Sequence, residues 1–386
     1  MKLLHLAFAG TEQRGVYRKL AEQAVALRRA GAHVDTVIVA DSRVGPPPIS
    51  PGDVSAPYRF IDIPGGGFDT AGREIAFAEI SRIIDATSPD VVYLRYPMYD
   101  EVVHRFVRAA PPVVLELQTI FANEVPANLA AREAVWAARV LPDIAGLVAV
   151  TGEILSYETA RAGWDIPGHV MPNGADPDTI PFTSPALAAD QVDLLCVASF
   201  HPWHGVDRLI VGMAMESDVT DVHLHLVGDG PTVPDLLSLA QEAGLASRVH
   251  AHGVVPVSDL GPWYARAHVA IGSLAPHRVG LKELAALKHR EYAFRGIPMV
   301  LAGGDADLVR TLPWVRQVSA DDSPVSPRVL RALALGWTQV ARRQQIRRWA
   351  ESHLSWTAKM PALLAFLESC RVSRLVARAA HSERFA

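Results

Sequence analysis

Short apolar runs alternate with segments of helical spacing along most of this chain. The alternation breaks once, across an irregular proline-containing stretch from Asp176 to Gln191, and then starts again. A strand-helix-strand order of this kind is the grammar of a parallel sheet with helices on its faces. In the first half it runs through an apolar strand at residues 2–9, a glycine-containing turn from Gly10 to Gly15, and a helix carrying Val16, Leu20, Ala24 and Leu27. Gly31 ends that helix, and a strand from His33 to Ala40 follows. A second cycle puts Ala76, Phe77, Ile80, Ile83 and Ile84 at helical spacing before a strand from Val91 to Leu94, with further strands at Val113–Leu117 and Leu147–Val150. After the break come strand Asp193–Ala198, a helix from Gly205 to Met215, strand His223–Val227, helix Val233–Ala243 and strand Val269–Ile271.

No close repeat relates the halves, yet 386 residues suffice for two separate cores. The expected architecture is α/β, with two doubly wound Rossmann-like domains at residues 1–180 and 190–355 and a helical segment, 356–386, returning to the first domain. Doubly wound sheets take ligands at the carboxyl ends of their strands, so a ligand is expected in a cleft where the two domains face each other.

Composition removes several function classes. A formal net charge of -4 argues against a general nucleic-acid binder, which would carry a basic face. Hydrophobic residues make up 49% of the chain, but no uninterrupted apolar run reaches the roughly 18 residues of a membrane span. The opening residues read as a buried strand and not as a signal peptide. Two cysteines, Cys196 and Cys370, make neither a disulfide framework nor a metal cluster, which fits a reducing, cytoplasmic setting. Arg342, Arg343, Arg347 and Arg348, interleaved with Ile346 and Trp349, fit a solvated helix face better than a helix lying peripherally on the inner face of a membrane.

The densest chemistry lies between Glu283 and Glu291, two carboxylates with seven residues between them. The second half of this run predicts a short helix from near Lys288, stopped at Gly296 by a residue suited to a left-handed cap and followed by Pro298 and an apolar strand. Glu283 then falls in the loop before the helix and Glu291 on it. A loop feeding a helix N-terminus attracts anions, because unpaired N–H groups and the helix dipole point the same way. The chain has five lysines, Lys2, Lys19, Lys282, Lys288 and Lys359, and two of them sit in this run.

Other motifs stand at predicted strand ends. Gly10 to Gly15 has the spacing of a phosphate loop, but Val16 and Tyr17 replace the Lys-Ser/Thr pair of a nucleotide hydrolase, leaving a plain turn or a close backbone approach at Gly15. Gly228-Asp-Gly-Pro231 is a turn or a binding loop. His201, Trp203 and His204 cluster without a nearby ligand at metal spacing, which favours His204 as a phosphate donor over a metal ligand. Asp305-Ala-Asp307 looks like a metal-chelating Asp-x-Asp, although two Asp in a glycine-rich loop more often make a solvated turn.

Together these residues resemble the retaining family 4 glycosyltransferases of the GT-B fold. The resemblance runs through the Glu-x7-Glu stretch with its Arg295-Gly-Ile-Pro298 ending, Trp203-His-Gly-Val-Asp-Arg208, Val227-Gly-Asp-Gly-Pro231, Val170-Met-Pro-Asn-Gly-Ala-Asp176, and Ser355-Trp356. It implies metal-independent transfer of a sugar, with configuration kept, from a nucleotide diphosphate sugar (UDP- or GDP-linked) to a hydroxyl on a glycan, a lipid-linked glycan or a small molecule, with no further cofactor. By that likeness Glu283 contacts the donor sugar, Glu291 the ribose, the amides of Leu287 and Lys288 the diphosphate, and Gly15 the same diphosphate from the first domain. Gly228 joins the nucleotide-binding set.

Two departures stand out. Ser199 and His204 occupy the positions where such families present an Arg and a Lys, and Gln118-Thr119 stands where an acceptor-side His-Asp is common. Lys288 then compensates for the lost lysine, with Arg208 a weaker candidate and His204 a second cation. A nucleotide-sugar 2-epimerase of similar fold and a catalytically silent partner subunit are the competing readings.

Overall fold

The computed structural model describes residues 1–10, 14–41, 58–67, 69–188 and 190–383. They form two compact units, one from Met1–Gly174 with the segment from Trp356 onward, the other from Ala175–Ser355. In the first, β1 (Lys2–Phe8), α1 (Arg14–Arg29), β2 (His33–Ala40), β3 (Tyr58–Asp62), α2 (Thr70–Thr87), β4 (Val91–Arg95), α3 (Glu101–Ala109), β5 (Val113–Leu117), α4 (Ala127–Val140), β6 (Gly146–Ala149), α5 (Gly152–Ala162) and β7 (Gly168–Val170) follow in turn. The strands pair in parallel in the order β3-β2-β1-β4-β5-β6-β7. Chain direction across the sheet reverses between β1 and β4, where Leu3 pairs with Val91. Helices cover both faces, so successive residues of the central strands are buried instead of alternating with exposed ones, as β1 after Lys2 and the whole of β5 show.

The second unit contains β8 (Val192–Val197), α6 (Val206–Met215), β9 (Val222–Val227), α7 (Val233–Glu242), β10 (Val249–Ala251), α8 (Gly261–Arg266), β11 (Val269–Ile271), α9 (Leu287–Phe294), β12 (Met299–Ala302), β13 (Val315–Val318), α10 (Pro327–Leu335) and α11 (Val340–His353). Its parallel sheet runs β10-β9-β8-β11-β12-β13, with the switch between β8 and β11. The last helix, α12 (Trp356–Glu383), lays Trp356, Met360, Leu363, Leu367 and Cys370 on the first unit's core against Leu3, Val91, Tyr93 and Val114. That spacing is one stripe of a helix.

The proline-containing stretch is not a free linker. It belongs to the second unit, whose boundary falls at Gly174 and Ala175. Ile180 is buried there, and the Ala186 N–H donates to Ala265 O at 2.8 Å. Arg347 explains the docking: its guanidinium donates to the carbonyls of Pro177, Ile180 and Phe294. Arg343 is fully buried and donates to Trp337 O and Ala267 O at 2.9 and 2.8 Å. Arg342 donates to Gly336 O at 2.7 Å, so three of the four arginines of α11 brace backbone, because a guanidinium offers enough donors to satisfy several carbonyls at once. Among the described residues no helix is long and apolar enough to cross a membrane.

Each unit contains a cluster of titratable side chains, buried in the first and partly buried in the second. In the first, Lys19 lies 3.1 Å from Glu116, whose Oε1 also accepts from Gln23 at 2.8 Å. Burial pushes the Glu116 carboxyl up, but Lys19 and Arg95 outweigh it and hold it at about 2. Burial also lowers His5, stacked on Tyr93, to about 4. In the second, adjacent β9 and β10 place His223, His225, His250 and His252 side by side, with His225 and His252 ring nitrogens 3.0 Å apart and His225 bonded to Asp193 at 2.9 Å. Burial, then neighbouring imidazoles, lower His252 to about 4.

These shifts act in one direction. An unfolded histidine takes its proton near pH 6.5, whereas folded His5 and His252 wait until about 4, so over that interval the unfolded chain binds more protons and stability is lost as the pH is lowered. The depressed Glu116 adds a contribution that disappears between its ordinary 4.5 and about 2, with the same sign. The thermal midpoint should therefore drop as pH is lowered from neutral to about 5, and His252→Phe should flatten the drop. A midpoint that holds or rises over that range would contradict the assignment.

Candidate functional site

The loops after β8 and β11, on either side of the second unit's switch point, are stitched together by backbone. Leu274 N donates to His204 O at 2.9 Å and Ala275 N to Trp203 O at 3.1 Å. Gly205 lies at the crossing with φ +61°, and a Cβ there would meet Ala275 N at 2.9 Å, so a side chain would separate the loops. His204 is buried, and its Nδ1 accepts the His201 N–H at 2.9 Å, which leaves Nε2 as the protonated, donating nitrogen. Burial, then the Lys288 charge, push this ring down to about 2. His204 is therefore a neutral hydrogen-bond donor, and the expected second cation is corrected accordingly.

Helix α9 begins at Leu287, one residue before the expected start, and ends as the sequence predicts. Gly296 takes φ +78°, its N–H donates to Ala293 O at 3.0 Å, and Ile297 N donates to Tyr292 O at 2.9 Å. This pair of bonds is the Schellman stop. Successive side chains fix the helix to its surroundings. His289 Nε2 accepts from Ser273 N at 3.2 Å, and Arg290 grips Asp305 and Asp307. Glu291 Oε1 accepts from Arg295 at 3.2 Å, and Tyr292 Oη accepts from Val197 N at 3.1 Å.

Lys288, just before them, differs. Its Nζ is buried and has no hydrogen-bond partner among the described residues. Burial lowers its pKa, and the group that favours its charge is the Cys196 thiol, itself pushed up by burial and so neutral. Ala286 supplies no side-chain cap, so the Leu287 and Lys288 amides at the helix start lack intrahelical acceptors. A buried ammonium, a neutral imidazole donor and open helix amides thus gather at one strand end.

The carboxylates flank this place. Glu283, half-buried, sits in a short parallel bridge with Gly304, held by Leu284 N to Gly304 O at 2.9 Å and Gly304 N to Lys282 O at 2.8 Å. Gly303, at φ +72°, lets that bridge form: a Cβ would stand 2.3 Å from Lys282 O. Glu291 is oriented by Arg295, which stacks over Tyr264 at 4.0 Å. Asp305 and Asp307 are not a solvated turn. Asp305 is buried and receives both Arg290 and, at 3.4 Å, His289 Nδ1.

Other candidates fall elsewhere. Arg208 is removed from the phosphate set, because its buried guanidinium is engaged by the carbonyls of Ser323 and Leu274 and by Asp321. Ser199 is exposed beyond β8. Gly228 is required by packing: at φ +122° its Cβ would lie 2.0 Å from Ala198 O, and its own N–H is taken by Gly253 O at 2.7 Å.

In the first unit, Gly15 lies in the opening turn of α1 and not in a loop, while residues 11–13 of the expected turn lie outside the described residues. Gln118 Oε1 accepts from Lys19 at 2.7 Å, leaving its Nε2 buried and unpartnered, and Thr119 Oγ1 bonds Glu124 at 2.7 Å. The reading of residues alone missed Arg290 and the Lys19–Glu116 pair. A charge inside the apolar strand Val113–Leu117 was the signal for Glu116.

Comparison with known proteins fits this geometry. Residues 14–174 match the family profile described as glycosyl transferase 4-like domain, and residues 191–311 match glycosyl transferases group 1. No curated protein matches by sequence. Similar solved structures include the lipopolysaccharide outer core galactosyltransferase WaaB in its apo form, at 13% identity and TM-score 0.65 over 96% of this chain and 99% of that one. Alr3699/HepE of Anabaena in complex with UDP is 16% identical, TM-score 0.65, over 96% of this chain and 100% of its own. Sucrose-phosphate synthase from Thermosynechococcus elongatus is 17% identical, TM-score 0.68, over 98% and 100%.

The Arg290 contacts generate a test. Arg290→Met leaves Asp305 buried without its counter-charge, so urea unfolding should show a loss of about 3–5 kcal/mol. A change below about 1 kcal/mol, the range of an exposed pair, would show that this pair does not organise the loop.

Proposed function

The chain belongs to the family 4 glycosyltransferases and is a transferase using a nucleotide-sugar donor, and on that premise we propose metal-independent transfer to a hydroxyl with retention of anomeric configuration. The observation that carries the proposal is the buried, unpartnered Nζ of Lys288 on the first turn of α9. An ammonium held out of water without a counter-ion is unfavourable until an anion arrives. The diphosphate of a donor supplies that anion. HepE has been solved with UDP and with UDP-glucose, which supports a UDP-sugar as the donor here.

Cleaving the bond between sugar and diphosphate builds negative charge on the leaving oxygen. Lys288, the Nε2–H of His204 and the amides of Leu287 and Lys288 meet that charge already oriented, which is where preorganised donors stabilise a transition state most. Glu283 takes hydroxyls of the donor sugar and Glu291, steadied by Arg295, takes the ribose. Asp305 and Asp307 are both engaged by the Arg290 guanidinium, which occupies the place between them that a chelated metal would take. The leaving oxygen accepts the acceptor's proton on the same face, so no dedicated base is needed.

Lys288→Met should lower kcat by about 10²–10³, the effect of removing one such donor. Because burial lowers the lysine's pKa, UDP affinity should begin to weaken at a pH below the ordinary lysine range as the ammonium loses its proton, and that pH dependence should vanish in the variant. Calorimetric titration of both proteins with UDP checks this, and identical pH profiles would remove Lys288 from the site. Glu283→Ala should lose transfer far more than UDP affinity, Glu291→Ala the reverse. Activity should persist in EDTA; loss restored by Mn²⁺ would overturn the metal-independent mechanism.

A further inference from the structure

We propose that Arg278 is a positioning residue for Glu283, fixing the loop that presents this carboxylate to the donor sugar. The proposal rests on the transferase reading, in which Glu283 takes hydroxyls of that sugar. Arg278 stands in the 3-10 turn Pro276–Val279, between β11 and Glu283. Its guanidinium reaches two other loops at the strand ends of the second unit. Nη1 and Nη2 donate to Asp207 Oδ1 and Oδ2 at 2.8 and 2.7 Å, a two-pronged grip on the first turn of α6. Nε and Nη2 donate to Asp322 Oδ1 at 2.9 and 2.7 Å in the loop after β13, and Nη1 also donates to Pro202 O at 3.2 Å in the loop after β8.

Most ion pairs near a surface hold little, because water screens them and the side chains must be ordered to meet. This one is built differently. The Arg278 side chain is 25% exposed, its five donors are all used, and two carboxylates and a carbonyl share them. His277 Nε2 lies 3.1 Å from the same Asp322 oxygen, and Arg208 ties the adjoining Asp321 and Ser323 to Leu274 O. The loops after β8, β11 and β13 are thereby locked to one another through side chains as well as backbone.

Little slack separates this clamp from Glu283. Gly280 ends the turn at φ +66° with its N–H on His277 O at 2.9 Å, and Leu281, buried, folds its N–H back to Pro276 O at 3.1 Å. The chain then enters the bridge in which Lys282 O and the Leu284 N–H hold Gly304. Glu283 is therefore carried between two supports, the Gly304 bridge and the turn that Arg278 anchors. Helix α9 has its own anchors in His289, Arg290 and Tyr292, so removing Arg278 releases the loop while Lys288 and the helix amides stay where they are. A displacement of about 1 Å at a reacting centre is enough to slow a reaction about 10²-fold.

The test uses the full chain and two readouts, calorimetric UDP affinity and the release of UDP from UDP-glucose, UDP-galactose and UDP-N-acetylglucosamine with water as the hydroxyl acceptor, which yields the free sugar. Arg278→Met should lower kcat for UDP release by about 10- to 100-fold and leave UDP affinity unchanged. Arg278→Lys should recover part of the rate, because an ammonium keeps one carboxylate but cannot fork between two. In a Glu283→Ala background Arg278→Met should cost nothing further, since its effect passes through that carboxylate. Arg328→Met removes a comparable fork, to Asp218, from the exposed side of α10 and should change neither readout. An unchanged rate in Arg278→Met, an equal further loss in the Glu283→Ala background, or a fall in UDP affinity that matches the fall in rate overturns the positioning role. Wild type that binds no UDP, or releases none from all three donors, would instead overturn the transferase reading.

Discussion

Four consecutive residues of α9 are anchored to different parts of the second unit, and the position of the site depends on those anchors. An eight-residue helix is too short to be stable alone, so its geometry comes from tertiary contacts and from the Gly296 stop. His289 ties it to the loop after β11, Arg290 to the loop after β12, Glu291 through Arg295 to Thr183, and Tyr292 to the end of β8. A helix pinned this way presents its N-terminal amides and Lys288 in one place. No reorganisation is then required when charge develops in front of it.

The same arrangement accounts for the exchange of cations. Ser199 and His204 stand where an Arg and a Lys were expected, and the loop itself carries no charge toward the strand end. Lys288 brings a charge from α9 instead, and burial together with that charge keeps His204 neutral. One ammonium and one imidazole N–H share the work that two side chains of a single loop would otherwise do in the proposed reaction. Cys196, buried beside Lys288, gives it no counter-ion, which leaves the role to the substrate.

Much of the fold was legible because apolar periodicity and glycine punctuation are local signals. His33–Ala40, Val113–Leu117 and Val269–Ile271 stand where the pattern puts them, and Gly296 caps its helix. The edge strands β3, β7, β10 and β13 were not legible, since short strands exposed on one side carry polar residues such as Arg59 and His250. Charged residues that act inside the protein misled most. Arg208, Arg343 and Arg347 look like surface charges in sequence, yet each satisfies buried carbonyls contributed by distant segments. Nothing local to an arginine distinguishes these uses. Lys288 was legible only as a scarce residue in a dense motif, and its burial without a partner is a property of the folded unit.

With only five lysines in the chain, the ionisation of Lys288 is directly observable by NMR of the protein labelled with ¹³C at lysine Cε, the Lys288 signal being identified by its loss in Lys288→Met. The Lys288 resonance should titrate below the usual lysine range in the free protein and shift to higher pH when UDP is added. A Lys288 signal with an ordinary lysine titration, or one indifferent to UDP, would contradict the claim that this buried ammonium is the counter-charge of the bound diphosphate.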